Sequence, residues 1–203
     1  MHPGQVSLAT ERLRWAAWTI VVLGAILFCI ELVDRPLAEF AALHPVHVRG
    51  IKYLIGVPGL LLGLALVVPI VGRILRLSTS GWRGVAEPCG MAIVWTAAAV
   101  ELVLKPIFGR SGPLSWLEHN QFAFHWFGGR TAELQSMPSG EAAILAAAIG
   151  VLWVALPRWR WAYLVIGGLE AVSLVWFNWH FASDVVAGAA VGALGAALAV
   201  GRT

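Results

Sequence analysis

The sequence predicts an all-α membrane protein, a single bundle of six transmembrane helices. Composition is the first observation: 59% of the 203 residues are hydrophobic and only 12% are charged, with a mean hydropathy of +0.79. A water-soluble core of this size cannot enclose so much apolar surface. The second observation is that the apolar residues form stretches of roughly 20, the length that a helix needs to cross a bilayer.

Six stretches qualify as spans or come close. They cover residues 15–33, 51–73, 88–105, 140–157, 159–178 and 181–201. The first is longer than a typical signal-peptide core and no small-residue cleavage site follows it, so we expect a retained anchor. We expect one transmembrane domain over residues 1–203, with a core at about 88–201 and one long loop at 106–138.

The basic residues predict orientation rather than nucleic-acid binding. The pI is about 9.3, but the arginines lie scattered at helix ends without a basic stripe. More of the arginines and lysines fall on the side of the amino terminus, which the positive-inside rule places in the cytoplasm. The loop at 106–138 and His180 then face outward. We expect an integral protein of a bacterial inner membrane with its site toward the periplasm.

Three polar segments meet at this outer face by topology alone. They read ELVLKPIFGRSGP, MPSGEAA and NWHFASD, and their polar residues are Lys105, Arg110, Ser139, Gly140, Glu141, His180 and Asp184. Each segment also has a purely structural explanation. Lys105 and Arg110 can be cations that extend to the membrane interface. The PSGE segment can be a capped helix start with an acidic first turn, and His180 with Asp184 can be a helix-capping pair. Their convergence on one face favours a functional site.

The combination resembles the type 2 phosphatidic acid phosphatase superfamily of membrane lipid phosphatases and phosphotransferases, over about residues 50–201. The family's first motif, a lysine, an arginine and then Arg-Pro, is similar to KPIFGRSGP, where Gly112 replaces the second arginine. Its Pro-Ser-Gly-His motif is similar to PSGE, where Glu141 replaces the histidine. Its third motif is similar to SLVWFNWHFASD, which keeps the histidine and aspartate but has Leu174 in place of an arginine.

The resemblance implies a nucleophile and its partners. His180 would attack phosphorus and form a phosphohistidine, and Asp184 would fix the tautomer of the imidazole and stabilise its developing positive charge. Glu141 would protonate the leaving group in place of the family's histidine. It can do so only if it carries a proton near neutral pH.

The resemblance also implies a phosphate site. Lys105 and Arg110 would hold the phosphoryl oxygens, helped by backbone N–H groups at Ser139 and Gly140. Arg130 can compensate for the absent arginines by reaching in from the loop. We expect no metal and no cofactor.

Two further carboxylates are functional candidates. Glu101 lies one turn before Lys105 on the same helix face, so we expect the two to pair. Glu170 lies ten residues before His180, near the bilayer centre, where a carboxylate is costly and indicates function by default. The alternative is a carboxyl group bonded to a neighbouring helix.

Two functions follow. The first is hydrolysis or transfer at a lipid phosphate, with a phosphodiester as a variant that needs fewer cations. The second is a catalytically degraded member that serves as a lipid-binding or structural subunit of a larger membrane complex, formed with a membrane-protein partner or as a homo-oligomer. The absent arginines favour the second, because each bidentate arginine–phosphate contact is worth about 1.5–3 kcal/mol.

Overall fold

The structure is a computed structural model that describes residues 3–45 and 80–201, with side chains described at 10–45 and 85–201. These residues are helical and contain no strand, which confirms the all-α prediction. The helices are α1 (Pro3–Phe28), α2 (Asp34–Leu43), α3 (Ser80–Ala99), α4 (Lys105–Phe108), α5 (Pro113–His119), α6 (Gly140–Ala155), α7 (Arg160–Trp176) and α8 (Ala182–Val200).

The described helices correspond to five of the six predicted spans, and the predicted span at 51–73 lies outside the described residues. Three helical stretches are long and apolar enough to cross a membrane, namely Thr10–Leu43, Val85–Phe108 and Ala182–Val200, and α6 is a shorter apolar helix. Large apolar side chains such as Leu102 and Leu198 are exposed on their outer faces. Such faces suit helices whose surroundings are lipid.

Two π-helical turns interrupt the long helices next to prolines. Cys29–Val33 precedes α2, and Val100–Leu104 precedes α4. Pro36 and Pro106 follow within three residues of these turns. Proline lacks an N–H and its ring clashes with the carbonyl four residues earlier, so a locally widened helix relieves both problems. Asp34 directly follows the first widened turn, and Lys105 directly follows the second.

Small residues bring α6 and α8 into close contact. A Cβ on Gly188 would overlap the carbonyl oxygen of Ser139, and one on Gly192 would overlap that of Ala143. Small residues at this spacing allow two helix backbones to approach closely within a membrane. The contact fixes the beginning of α6 against the beginning of α8, where two of the polar segments of the sequence lie.

Candidate active site

The three predicted polar segments do converge at one end of the bundle. His180 lies in the turn between α7 and α8, and its backbone N–H donates to the carbonyl of Leu174. Glu141 lies in the first turn of α6, and Lys105 begins α4. The close contact between α6 and α8 brings the side chains of His180 and Glu141 together.

The imidazole of His180 is buried and held at both nitrogens. Nδ1 lies 2.9 Å from the carbonyl oxygen of Ser136, and Nε2 lies 3.1 Å from Oε2 of Glu141. Oδ2 of Asp184 is 3.9 Å from Nδ1, so Asp184 acts on the ring through its charge more than through a direct bond. A carbonyl oxygen only accepts, so Nδ1 carries a hydrogen.

This environment favours the protonated imidazole. Burial opposes the charged ring, but the carboxylates of Asp184 and Glu141 on its two sides outweigh burial and raise the pKa of His180 to about 9. At neutral pH the pair of His180 and Glu141 is therefore an ion pair whose one transferable proton is on Nε2. The expectation that Glu141 itself carries a proton near neutral pH is wrong for this arrangement, because the proton belongs to the imidazole.

Asp184 is fully buried at the beginning of α8 and accepts hydrogen bonds from several directions. The Ser136 hydroxyl donates to Oδ2 at 2.6 Å, and the backbone N–H of Phe181 donates at 2.9 Å. The same Ser136 residue supplies the carbonyl that holds Nδ1 of His180. Ser136 thus ties the aspartate and the histidine together.

Arg110 differs from its predicted role as a phosphate ligand. Its side chain is 1% exposed and bridges two buried carboxylates, with Nη2 2.7 Å from Asp34 and Nη1 2.5 Å from Asp184. Nη1 also donates to Ser183, and the ring of Phe181 covers the guanidinium. A buried carboxylate is costly without a partner, so the guanidinium is committed to neutralising two of them.

Asp34 is the member of this network that sequence reasoning missed. It begins α2 and is 1% exposed. Besides Arg110, it accepts from the backbone N–H and the hydroxyl of Ser183. The available signal was an acidic residue at the end of a long apolar stretch, CIELVDRP, because a carboxylate at that depth requires a partner.

Lys105 forms the predicted pair with Glu101, with Nζ 2.7 Å from Oε1. A Cβ on Gly140 would lie 2.5 Å from that same oxygen and 3.4 Å from Nζ. Glycine at 140 therefore lets the ion pair lie across the beginning of α6, next to Glu141.

Ser139 caps α6, because its hydroxyl accepts from the backbone N–H of Ala142 at 3.3 Å. Its own backbone N–H donates to the carbonyl of Asp184 at 3.0 Å. In this structure the N–H that was predicted to help bind phosphate joins α6 to α8 instead.

The positions of the absent arginines differ in their surroundings. Gly112 lines a cavity of about 430 Å³ together with His180 and Trp179. Leu174 is 0% exposed and packs in an apolar cluster with Ala142.

Two other predicted candidates lie apart from this network. The Arg130 side chain is exposed on the loop and has no contact with the network. Glu170 is buried in α7, below the site.

The PAP2 superfamily model matches residues 89–202. The chain belongs to the PAP2 superfamily. This confirms the family that the motifs predicted, and with the apolar helices it makes the chain an integral membrane protein of that family.

Two relatives of this PAP2 protein are named lipid A 1-phosphatase. The one from Rhizobium johnstonii is 28% identical over 193 residues, 89% of this chain and 78% of the relative. The one from Rhizobium etli is 25% identical over 191 residues, 89% of this chain and 81% of the relative. A solved structure, the PAP2-type phosphatidylglycerolphosphate phosphatase from Bacillus subtilis, aligns with TM-score 0.42 and 18% identity over 90% of this chain and 94% of that chain.

Charge distinguishes this PAP2 site from the motif pattern of its family. Among the side chains of the site that the structure describes, carboxylates outnumber cations. The carboxylates are Asp34, Glu101, Glu141 and Asp184, and the cations are Lys105, Arg110 and the protonated imidazole of His180. The excess of negative charge opposes the entry of a phosphate group.

Proposed function

We propose that this protein is a membrane phosphatase or phosphotransferase that acts on a lipid phosphate at the outer membrane face through a phosphohistidine at His180. The observation that carries the proposal is the imidazole, oriented through Nδ1 by Ser136 with Asp184 behind it, whose Nε2 points to the first turn of α6. Membership of the family supports the reaction class, and the names of the relatives make lipid A the first substrate to test.

Glu141 occupies the place that phosphorus must take beside Nε2. Its carboxylate accepts the Nε2 proton, which leaves a neutral imidazole and an uncharged carboxylic acid. The acid then moves aside, and its side chain, 30% exposed, has room toward solvent. A neutral Glu141 no longer repels the phosphate, so one proton transfer prepares both the nucleophile and the site.

The Nε2–P bond forms as the ester P–O bond breaks, and Glu141 returns its proton to the leaving oxygen. In hydrolysis, Glu141 takes a proton from water as the water oxygen attacks the phosphohistidine. The Nε2–P bond breaks and inorganic phosphate leaves. The proton on Glu141 then returns to Nε2, so the ion pair of His180 and Glu141 forms again. In transfer, an acceptor hydroxyl takes the place of water.

Lys105 is the cation that we assign to the phosphoryl oxygens. It lies beside Gly140 at the beginning of α6, where the helix dipole also favours an anion. Arg110 acts indirectly, because it holds Asp184 in place behind His180. The periplasmic side of a bacterial inner membrane is the location that the positive-inside rule favours.

A lipid-binding or structural subunit without turnover is the second candidate. The observation that favours it is the excess of carboxylates, with Glu141 paired to the nitrogen that would attack. In that case the ion pair of His180 and Glu141 stabilises the junction of α6 and the α7–α8 turn.

The test is phosphate release from several lipid phosphates, lipid A included, by the purified protein and by His180→Ala. His119→Ala is the matched control, since His119 is exposed at the end of α5. We expect turnover and an acid-labile phosphorylated protein with the wild type and the control, and neither with His180→Ala. Wild-type turnover in His180→Ala contradicts the phosphohistidine, and no turnover with any lipid favours the subunit.

A further inference from the structure

A second cavity, of about 310 Å³, lies within the apolar part of the bundle between α6, α7 and α8. It runs along α6 from Ala142 to Trp153, roughly 16 Å of helix rise. Ala142 follows Glu141, and Val185, also in the lining, follows Asp184. The cavity is therefore elongated and begins directly below the active site.

The lining is apolar apart from two residues, Tyr163 and Glu170. Small residues of α7, Gly167 and Gly168, widen the space, and a Cβ on Gly168 would meet nothing within 4 Å. An elongated apolar cavity of this size fits a hydrocarbon chain and is at the lower end of ligand pockets.

Glu170 is the feature that a plain hydrocarbon chain does not explain. It is 5% exposed, and its Oε1 is enclosed without a hydrogen-bond partner among the described residues. A buried oxygen without a partner is costly, whereas the same oxygen bonded to a donor is not. An acceptor in an apolar cavity therefore selects for a chain that carries a hydrogen-bond donor.

The position of Glu170 indicates where that donor lies. Glu170 is six residues before the end of α7 at Trp176, roughly 9 Å of helix rise below the turn that carries His180. A lipid whose phosphate is at His180 extends its chain past Glu170 at a point close to the headgroup.

We infer that this cavity binds one acyl chain of the substrate and that Glu170 recognises a hydroxyl or amide N–H in the upper part of that chain. The inference rests on the proposed function for the position of the phosphate. It makes Glu170 a residue of substrate specificity, outside the transfer chemistry.

The experiment measures binding, so that it does not depend on turnover. The probes are two single-chain lipid phosphates of equal chain length, one unsubstituted and one with a hydroxyl on the third chain carbon, and the same two lipids without phosphate. Wild type, Glu170→Leu and Gly168→Val are compared in detergent. Glu87→Gln is the control, because Glu87 is an exposed carboxylate on α3.

We expect the wild type and Glu87→Gln to bind the hydroxylated lipid roughly 3- to 10-fold more tightly, the effect of one hydrogen bond. Glu170→Leu should remove this preference and leave the plain lipid bound as before or better. Gly168→Val should weaken both lipids, because its side chain fills part of the cavity, and it tests the cavity independently of Glu170.

Equal binding of the two lipids by the wild type overturns the inference, and so does a preference that survives in Glu170→Leu or binding that Gly168→Val leaves unchanged. A preference in the phosphate-free pair without any turnover supports the cavity and counts against the enzyme. Turnover without a chain preference supports the enzyme and overturns the cavity.

Discussion

Nε2 of His180 lies 3.1 Å from Oε2 of Glu141. The nitrogen that would attack phosphorus is therefore hydrogen-bonded to Glu141, which replaces the histidine of the family's Pro-Ser-Gly-His motif. Both side chains come from helix ends that are brought together by the glycine contacts of α8 with α6. One proton shared between these two atoms therefore controls both the nucleophile and the charge of the pocket.

Glu141→Gln should lower turnover by roughly 10²- to 10⁴-fold, the usual contribution of a positioned acid–base group. The amide keeps the shape and a hydrogen bond to His180 but cannot take up or return the proton. Substrate binding should change much less, because the amide does not repel phosphate. Full activity in this variant, with an unchanged alkaline limb, removes Glu141 from the mechanism.

The pH dependence of turnover follows from the same shared proton. The active form carries one proton on the pair of His180 and Glu141, and that proton is lost as pH rises through the His180 pKa of about 9. Wild-type kcat should therefore be flat through neutral pH and fall above about pH 9. A rate that continues to rise above that pH indicates that free imidazole alone is the active form.

Stability should depend on pH through His180 as well. Its pKa is raised in the folded protein, so the stabilisation is complete below the unfolded value of about 6.5 and is lost as pH rises toward 9. The expected loss over this window is on the order of 3 kcal/mol, measured by unfolding in detergent. His180→Ala should lack this slope, whereas His119→Ala should retain it.

Much of this site could be predicted from residue types and topology, and the remainder required three-dimensional contacts. The apolar stretches placed Lys105, Glu141 and His180 at one face, and the spacing of four placed Glu101 beside Lys105. The role of Arg110 could not be predicted, because its partner Asp34 is 76 positions away along the chain.

Asp34→Asn tests that long-range pair. Both oxygens of Asp34 accept hydrogen bonds, Oδ2 from Arg110 and Oδ1 from the backbone N–H of Ser183, so in either orientation the amide places its NH2 group against a donor. Arg110 also loses one of its two ion pairs. We expect a loss of about 3–5 kcal/mol in unfolding free energy, the usual cost of removing one partner of a buried pair. Glu31→Gln is the control, since Glu31 is an exposed acid just before the same helix. Equal stability of the two variants contradicts a structural role for Asp34.

Restoring an arginine at Gly112 should increase phosphate binding, whereas restoring one at Leu174 should not. Gly112 has extended backbone angles and its added Cβ would meet the Ser136 hydroxyl at 3.6 Å, an ordinary contact, beside the cavity that His180 also lines. A guanidinium there can reach phosphoryl oxygens, and one bidentate contact corresponds to roughly 10- to 100-fold in kcat/KM.

Leu174→Arg should instead destabilise the protein, because Leu174 is 0% exposed within an apolar cluster and a charge there has no partner. Gly112→Leu fills the same space as Gly112→Arg without the charge and is the matched control for it. The measurement is kcat/KM for a phosphate monoester with thermal stability alongside. Equal kcat/KM in Gly112→Arg and Gly112→Leu means that a cation at this position does not meet the phosphate, and the phosphate must then bind on the Lys105 side of His180.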